Sequence, residues 1–485
     1  LRAIDAAAED ERIKGIYLNF NYMGSMTTAA LEELREAIVR FKQSGKWVVA
    51  YNDVYSQWMY YLCSVADKIY IQPEGTFEWV GIQAQTLFFK GLLDKLGVKV
   101  DILRPTACKY KSAVEPYFLS EMSDENREQM QELADHMWGV IVDGVAESRG
   151  VSAEELNRLA DELVVVLPSQ ALEHKLIDGV KYADQMEALF EEEYGIEEPE
   201  YISLGDYASS LITDPKRASA PKVAIVYANG QVMDGSGTDD NIYGYTLSQT
   251  LREVAEDDDI KSVVLRVNSP GGSALASDLI WREMENLKAK KPVIGSMGAY
   301  AASGGYYISC NADTIVAEPT TLTGSIGIFG LFRYGEKLAK NIGVAMDVVK
   351  TNEFADFGDL TRPMNSAEQQ KMQANVERGY DLFLTRCADG RGKTKEEIDQ
   401  VGQGRVWTGS MAIDLGLVDV LGGLDTALDI AIEKAGVEAY TIQNYPGEKS
   451  FIETLMESTS KGMDDYIRTR VMGKKLNEVS KHFYL

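Results

Sequence analysis

Short β-branched, apolar runs alternate along this chain with longer stretches whose apolar positions recur at helical spacing. Residues 15–20, 47–51, 222–227, 262–267 and 292–296 read as strands, and residues 28–41 and 276–287 as helices following two of them. Strands alternating with helices of this length predict βαβ units on a parallel sheet, an α/β fold. Two longer helices follow, over residues 123–148 and 366–388, each stopping at an Arg-Gly pair, Arg149-Gly150 and Arg391-Gly392. Ser366 with Gln369 reads as a capping box at the start of the second. Ser152 with Glu155 and Thr394 with Glu397 read as boxes opening the next helix in each region.

This pattern occurs twice. Ala312-Asp313-Thr314-Ile315, Pro319 and Gly327-Ile328 answer Ala66-Asp67-Lys68-Ile69, Pro73 and Gly81-Ile82 at a spacing of about 246 residues. Tyr60-Tyr61 and Tyr306-Tyr307 precede the two stretches. Upstream, Ile13-Lys14-Gly15-Ile16-Tyr17-Leu18 answers Ile260-Lys261-Ser262-Val263-Val264-Leu265, and downstream Leu176-Ile177-Asp178 answers Leu417-Val418-Asp419. The spacing far exceeds solenoid periods and indicates a duplicated domain. The division expected is a first copy over 1–190, an acidic and then Pro/Ser-containing linker over 191–221, a second copy over 222–437 and a tail over 438–485. The strand at 222–227 has its counterpart before residue 1, so the first copy is expected to lack its opening segment. The tail carries Arg468, Arg470, Lys474, Lys475 and Lys481 against one late acid, Glu478. It reads first as a solvated helix face, then as a surface for subunit or membrane docking.

At 485 residues the chain accommodates two or three domains with sizeable cores. Its net charge of −26 argues against non-specific nucleic-acid binding. Cys63, Cys108, Cys310 and Cys387 show no metal-ligand spacing, and neither metal nor cofactor is expected. The only histidines are His136, His174 and His482, which leaves few candidates for a histidine base. No apolar run reaches the 18 residues of a membrane span.

The second copy holds three small-residue turns. Asn268-Ser269-Pro270-Gly271-Gly272 breaks a strand and exposes successive backbone N–H groups near a helix start, which suits an oxyanion. Ala301-Ala302-Ser303-Gly304-Gly305-Tyr306 places a serine between small residues, open to a substrate backbone, with the Gly304 N–H beside it. Thr323-Gly324-Ser325-Ile326-Gly327 is the third. Each is weak alone, since such turns are usually plain strand–helix junctions. A serine needs a base, and no histidine lies in the core of the second copy, so a lysine of depressed pKa becomes the alternative. The first copy offers Lys111 within Lys109-Tyr110-Lys111-Ser112-Ala113-Val114-Glu115-Pro116, although a lysine alone is most often a surface residue. The copies complement each other. The counterpart of Ser303 is Gln57, and that of Lys111 falls near Phe357. The Pro-Gly-Gly turn is reduced to Tyr22-Met23-Gly24, and Thr-Gly-Ser-Ile-Gly to Phe77-Glu78-Trp79-Val80-Gly81. One site split between two halves accounts for this pattern. Spacing does not fix whether Lys111 meets Ser303 of its own chain or of a neighbour.

Taken together, Lys109–Pro116, Asn268–Ser273, Ala301–Tyr306 and Leu322–Gly327 resemble the signal peptide peptidase A family in its long, duplicated bacterial form. The resemblance spans nearly the whole chain except the tail. It implies a ClpP/crotonase-like fold in tandem and a serine endopeptidase with Ser303 as nucleophile and Lys111 as general base. It further implies that the Gly272 and Gly304 amides form the oxyanion hole and that Ser325 orients the lysine. Substrates implied are remnant signal peptides and other small hydrophobic peptides. A homotetrameric bowl is implied, held by an N-terminal anchor absent from this sequence on the extracytoplasmic side of the bacterial cytoplasmic membrane. Two other readings stand beside it. One is a crotonase-like acyl-CoA enzyme, disfavoured because no acidic residue accompanies Ser303 and Ser325 in their turns. The other is a scaffold with a decayed site.

Overall fold

A computed structural model describes residues 1–20, 26–211 and 220–447. In the first half, strands Gly15–Leu18, Trp47–Tyr55, Lys68–Phe77 and Gly179–Val180 lie side by side in that order, all parallel. In the second half, Val293–Ala302, Ile260–Ser269, Lys222–Asn229 and Thr441–Tyr445 are adjacent and parallel. Leu322–Gly324 and then antiparallel Val406–Thr408 extend the other edge. The central strands bury long unbroken runs, as sheets covered on both faces require. Val48, Ala50, Ile69 and Ile71 pack with Leu31, Ile38, Phe41, Ile141 and Val145 in the first half. Val263, Leu265, Met297 and Ile315 pack with Ile280, Met284, Leu287, Tyr306 and Phe383 in the second.

The duplication extends to individual hydrogen bonds. The Asp67 carboxylate accepts from Val48 N, and Asp313 from Val293 N, both at 2.8 Å. Tyr60 donates to Leu176 O at 2.7 Å, and Tyr306 to Leu417 O at 3.0 Å. Asp178 accepts from Ile69 N and pairs with Arg149, while Asp419 accepts from Ile315 N and pairs with Arg391. The long helices Asp124–Arg149 and Ser366–Arg391 both stop at a left-handed glycine, Gly150 and Gly392.

Several expectations change. The cap of the second long helix is Asn365 with Glu368, one residue earlier than the Ser366–Gln369 box. Both registers satisfy the box pattern, but only Glu368 also meets Arg362, at 2.6 Å. Thr394 with Glu397 forms its box. Ser152 caps Glu155 N, but the Glu155 carboxylate turns to Arg158. The tail expected from 438 begins with Thr441–Tyr445, which belongs to the second sheet through its pairing with Lys222–Asn229. The linker expected over 191–221 holds the helix Leu204–Ser210, whose Tyr207 is buried in the first-half core and donates to Asp10. Tyr22-Met23-Gly24, the basic cluster of the tail and His482 lie outside the described residues. No helix among the described residues is long and apolar enough to cross a membrane.

The two halves are fastened together along a seam. Lys99–Leu103 pairs antiparallel with Gly330–Tyr334. Glu32 accepts from Thr320 N and Oγ1, Glu33 pairs with Arg266 at 2.7 Å, and Arg40 pairs with Asp425 at 2.6 Å. This seam delivers the loop after Lys99–Leu103, which carries Lys111, to the sheet ends of the second half.

Candidate active site

Three strand ends of the second half and one loop of the first converge here. Ile260–Ser269 breaks at Pro270. The Ser269 hydroxyl accepts from Gly271 N at 3.1 Å, and Ser273 caps the helix Ala274–Lys288. Val232 pins the turn from the side, its N–H donating to Gly271 O and its carbonyl accepting from Ser273 N. The Gly272 N–H between them donates to no acceptor among the described residues. Glycine is required here because a Cβ on Gly272 would lie 2.0 Å from Val232 O.

Val293–Ala302 runs straight into Ser303, which opens the short helix Gly304–Ser309. Ser303 has φ 55° and ψ −117°, an unfavourable conformation for a residue with a Cβ. Such a conformation costs about 1–3 kcal/mol and persists only when its surroundings enforce it. Two bonds do so here. Ser303 N donates to Gly324 O at 2.9 Å, and Tyr307 N to Ser303 O at 2.9 Å. The sharp strand-to-helix turn lifts the hydroxyl clear of the sheet, as a nucleophile elbow does. As the first helical residue, Gly304 has an N–H with no intrahelical acceptor, and it has no other among the described residues. The two glycine turns interleave closely. A Cβ on Gly271 would lie 2.6 Å from Gly304 N, and one on Gly304 would lie 3.1 Å from Gly272 N.

Lys111 precedes the 3₁₀ turn Ser112–Tyr117. Glu115 of that turn is buried and accepts from Ser123 Oγ and Asn126 Nδ2, which ties the loop to the first-half long helix. Only 3% of Lys111 is exposed. Its Nζ lies 3.0 Å from Ser303 Oγ, 2.9 Å from Ser325 Oγ and 2.7 Å from Ser325 O, all in the same chain. Burial brings its pKa down to about 7, with the Cys108 thiol a minor opposing influence. Ser325 is itself fixed, its N–H donating to Arg405 O at 2.7 Å and its hydroxyl to Gly404 O at 3.3 Å.

All five residues singled out from the sequence therefore meet at one place. Gln57, at the corresponding turn of the first half, is buried with its side-chain amide bound to Val80 and Gly81 backbone, and Phe357 is exposed. His136 meets Thr408, and His174 meets Glu155. The sequence reading missed the turn over 402–405, which closes over the lysine. A Cβ on Gly404 would lie 2.6 Å from Lys111 Cβ, and Gln403 O accepts from Tyr110 N. Its only signal is the pair Gly402 and Gly404, which carries no chemistry. Among the described residues no cluster of His, Cys, Asp or Glu is placed to hold a metal ion. An amine, a hydroxyl and two unsatisfied amides around one point form a setting for acyl transfer.

Comparison with known proteins agrees with this chemistry. The model of peptidase family S49 matches residues 40–197 and 285–438, and that of Clp protease matches residues 218–320. Protease 4 of Haemophilus influenzae is 38% identical over 96% of this chain and 78% of its own length. Protease 4 of Salmonella typhi is 38% identical over 94% of this chain and 75% of its own. A chloroplastic serine protease SPPA of Arabidopsis thaliana is 33% identical over 89% of this chain and 64% of its own. The fold is a duplicated ClpP-like α/β domain, and the chain belongs to peptidase family S49, as a serine-type peptidase.

Proposed function

We propose that this peptidase cleaves peptide bonds with a Ser303–Lys111 dyad split between its duplicated halves. The observation that carries this reading is the 3.0 Å approach of Lys111 Nζ to Ser303 Oγ across 192 positions of sequence. Neutral Lys111 takes the hydroxyl proton as Oγ attacks the substrate carbonyl. The Gly272 and Gly304 amides hold the tetrahedral oxyanion, Lys111 protonates the leaving amine, and water activated by the same lysine releases the acyl group. Ser325 directs the lysine through its hydroxyl and carbonyl. Substrates are remnant signal peptides and other short hydrophobic peptides. The chain works as a homotetramer at the bacterial cytoplasmic membrane, on the extracytoplasmic side.

Because the base must be neutral, kcat/KM for a short peptide substrate rises with pH through an acidic limb near 7, where Lys111 deprotonates. An activity that stays flat from pH 5 to 9 contradicts a lysine base.

Gly271→Ala tests the paired amides. The added methyl would sit 2.6 Å from Gly304 N and 2.7 Å from Ser303 Cβ, at a position with φ 101°. Wedging the turns apart is expected to lower kcat by about 10²- to 10³-fold, the cost of losing an oxyanion donor. Steady-state kinetics with circular dichroism as a control for folding measures it. A folded variant with wild-type kcat removes the amide pair from the mechanism.

A further inference from the structure

The lysine reaches its serine only if the two halves stay in register to within a fraction of an ångström, and one side chain holds both at that point. Arg405 lies in the turn that covers Lys111. Its guanidinium is stacked between the Tyr110 ring of the first half and the Trp407 ring of the second, 4.5 Å from each centroid. It also pairs with Glu132 and Glu128, on the first-half helix Asp124–Arg149. Its Nε is buried with no hydrogen-bond partner among the described residues, so stacking holds that edge of the group. Trp407 is fixed by its own bond to Val401 O and by the pairing of Val406–Thr408 with Leu322–Gly324.

The backbone of this turn touches the main groups of the site. Arg405 O accepts from Ser325 N, Gly404 O from Ser325 Oγ, and Gln403 O from Tyr110 N. Gly404 packs against Lys111 Cα and Cβ. The turn carries a conformational cost at Gln403, a non-glycine residue held at φ 53°, so it needs external support. From the first half that support comes from Tyr110, Glu128 and Glu132, which hold the Arg405 side chain, and from Gln129 Oε1, which accepts from Val406 N at 2.7 Å. Lys111 has few backbone restraints of its own, a 3.4 Å bond to Cys108 O and a 3.5 Å bond from Arg104 to its carbonyl.

We propose that Arg405 is a positioning residue for the dyad. Its stack between Tyr110 and Trp407 and its pairing with Glu132 hold the turn over 402–405 against Lys111, so that Nζ stays desolvated and within reach of Ser303 Oγ. The proposal rests on the assignment of Lys111 as the base. Arg405 touches neither substrate nor reacting atoms and acts through the lysine.

The test uses the full chain and a chromogenic short-peptide substrate, with kcat, KM and the pH dependence of kcat/KM measured for Arg405→Met, Arg405→Lys and Glu132→Gln. The titratable and charged groups about the lysine loop and its covering turn include Arg104, Cys108, Lys109, Tyr110, Glu115, Glu128 and Glu132 from the first half and Glu377, Tyr380, Asp399 and Arg405 from the second. Loosening the turn admits water to Nζ, and relief of its desolvation raises the pKa of the lysine. Arg405→Met is expected to lower kcat by about 10- to 100-fold, as small misplacements of reacting groups do, with KM within about twofold of wild type. Its acidic limb moves up by about one pH unit or more. Glu132→Gln shifts the limb in the same direction by less, and Arg405→Lys, which keeps the ion pair but not the planar stack, recovers part of the loss. An Arg405→Met limb that stays at the wild-type pH overturns the proposal, whatever the rate. If Arg405→Met does not fold, Glu132→Gln and Tyr110→Leu carry the test, and unmoved limbs in both overturn it. Lys111→Met separates the two readings. If that variant is active, the base assignment itself fails. If it is dead while the limbs stay put, only the role of Arg405 fails.

Discussion

Lys111→Met and Ser303→Ala are each expected to lower kcat by on the order of 10⁴- to 10⁶-fold, with the double variant no worse than either single one. The size follows from geometry. Ser303 Oγ has the amine 3.0 Å away, and among the described residues no histidine or carboxylate is a hydrogen-bond partner that could replace it. A serine hydroxyl without a base is a poor nucleophile, and a base without the hydroxyl has nothing to activate, so the two losses do not add. The deficit corresponds to about 5–8 kcal/mol of barrier. Lys111→Arg should be as inactive as Lys111→Met, because a guanidinium stays protonated and cannot take the proton. Steady-state kinetics on the two single variants and the double variant decide this. A double variant markedly slower than either single one would mean that the residues act independently.

The second large effect is on stability and has a definite sign. The ordinary lysine pKa is 10.5, and burial brings that of Lys111 down to about 7 in the folded protein. Between those values the unfolded chain binds a proton that the folded chain does not, so stability rises with pH across this window. Below pH 7 the fold carries the full cost of the buried ammonium, on the order of 5 kcal/mol, and by pH 10.5 that cost is gone. Lys111→Met has no such group. The stability of wild type relative to Lys111→Met should therefore improve by about 2 kcal/mol between pH 7 and pH 9. Urea unfolding of both proteins in parallel measures it, and taking the difference cancels the carboxylates and tyrosines common to both. Parallel curves would mean that Lys111 titrates as an exposed lysine.

Much of this was legible in the sequence because the duplication left two copies to compare. The tyrosine pair, the Asp67 and Asp313 motifs and the left-handed glycines after both long helices each reappear as the same contact twice. Ser303 and Lys111 stood out because their counterparts, Gln57 and Phe357, lack the chemistry. What escaped was set by tertiary context. Asn365–Glu368 and Ser366–Gln369 fit the same box pattern, and Arg362 favours the earlier one. Thr441–Tyr445 is five residues that gain their place from the free edge of Lys222–Asn229. Leu204–Ser210 is a seven-residue helix held by one buried tyrosine. The turn over 402–405 reaches the lysine loop from nearly 300 positions away, and its function lies in backbone carbonyls, which leave no mark in side-chain pattern.

In the proposed mechanism one half of the duplication activates the nucleophile of the other. Treating the purified full chain with a fluorophosphonate probe, locating the label by mass spectrometry, and repeating this with Lys111→Met tests it most directly. The expected result is label on Ser303 in wild type and none in the Lys111 variant. Equal labelling of Ser303 in both proteins would contradict the account, because the serine would then draw its reactivity from something other than the lysine across the seam.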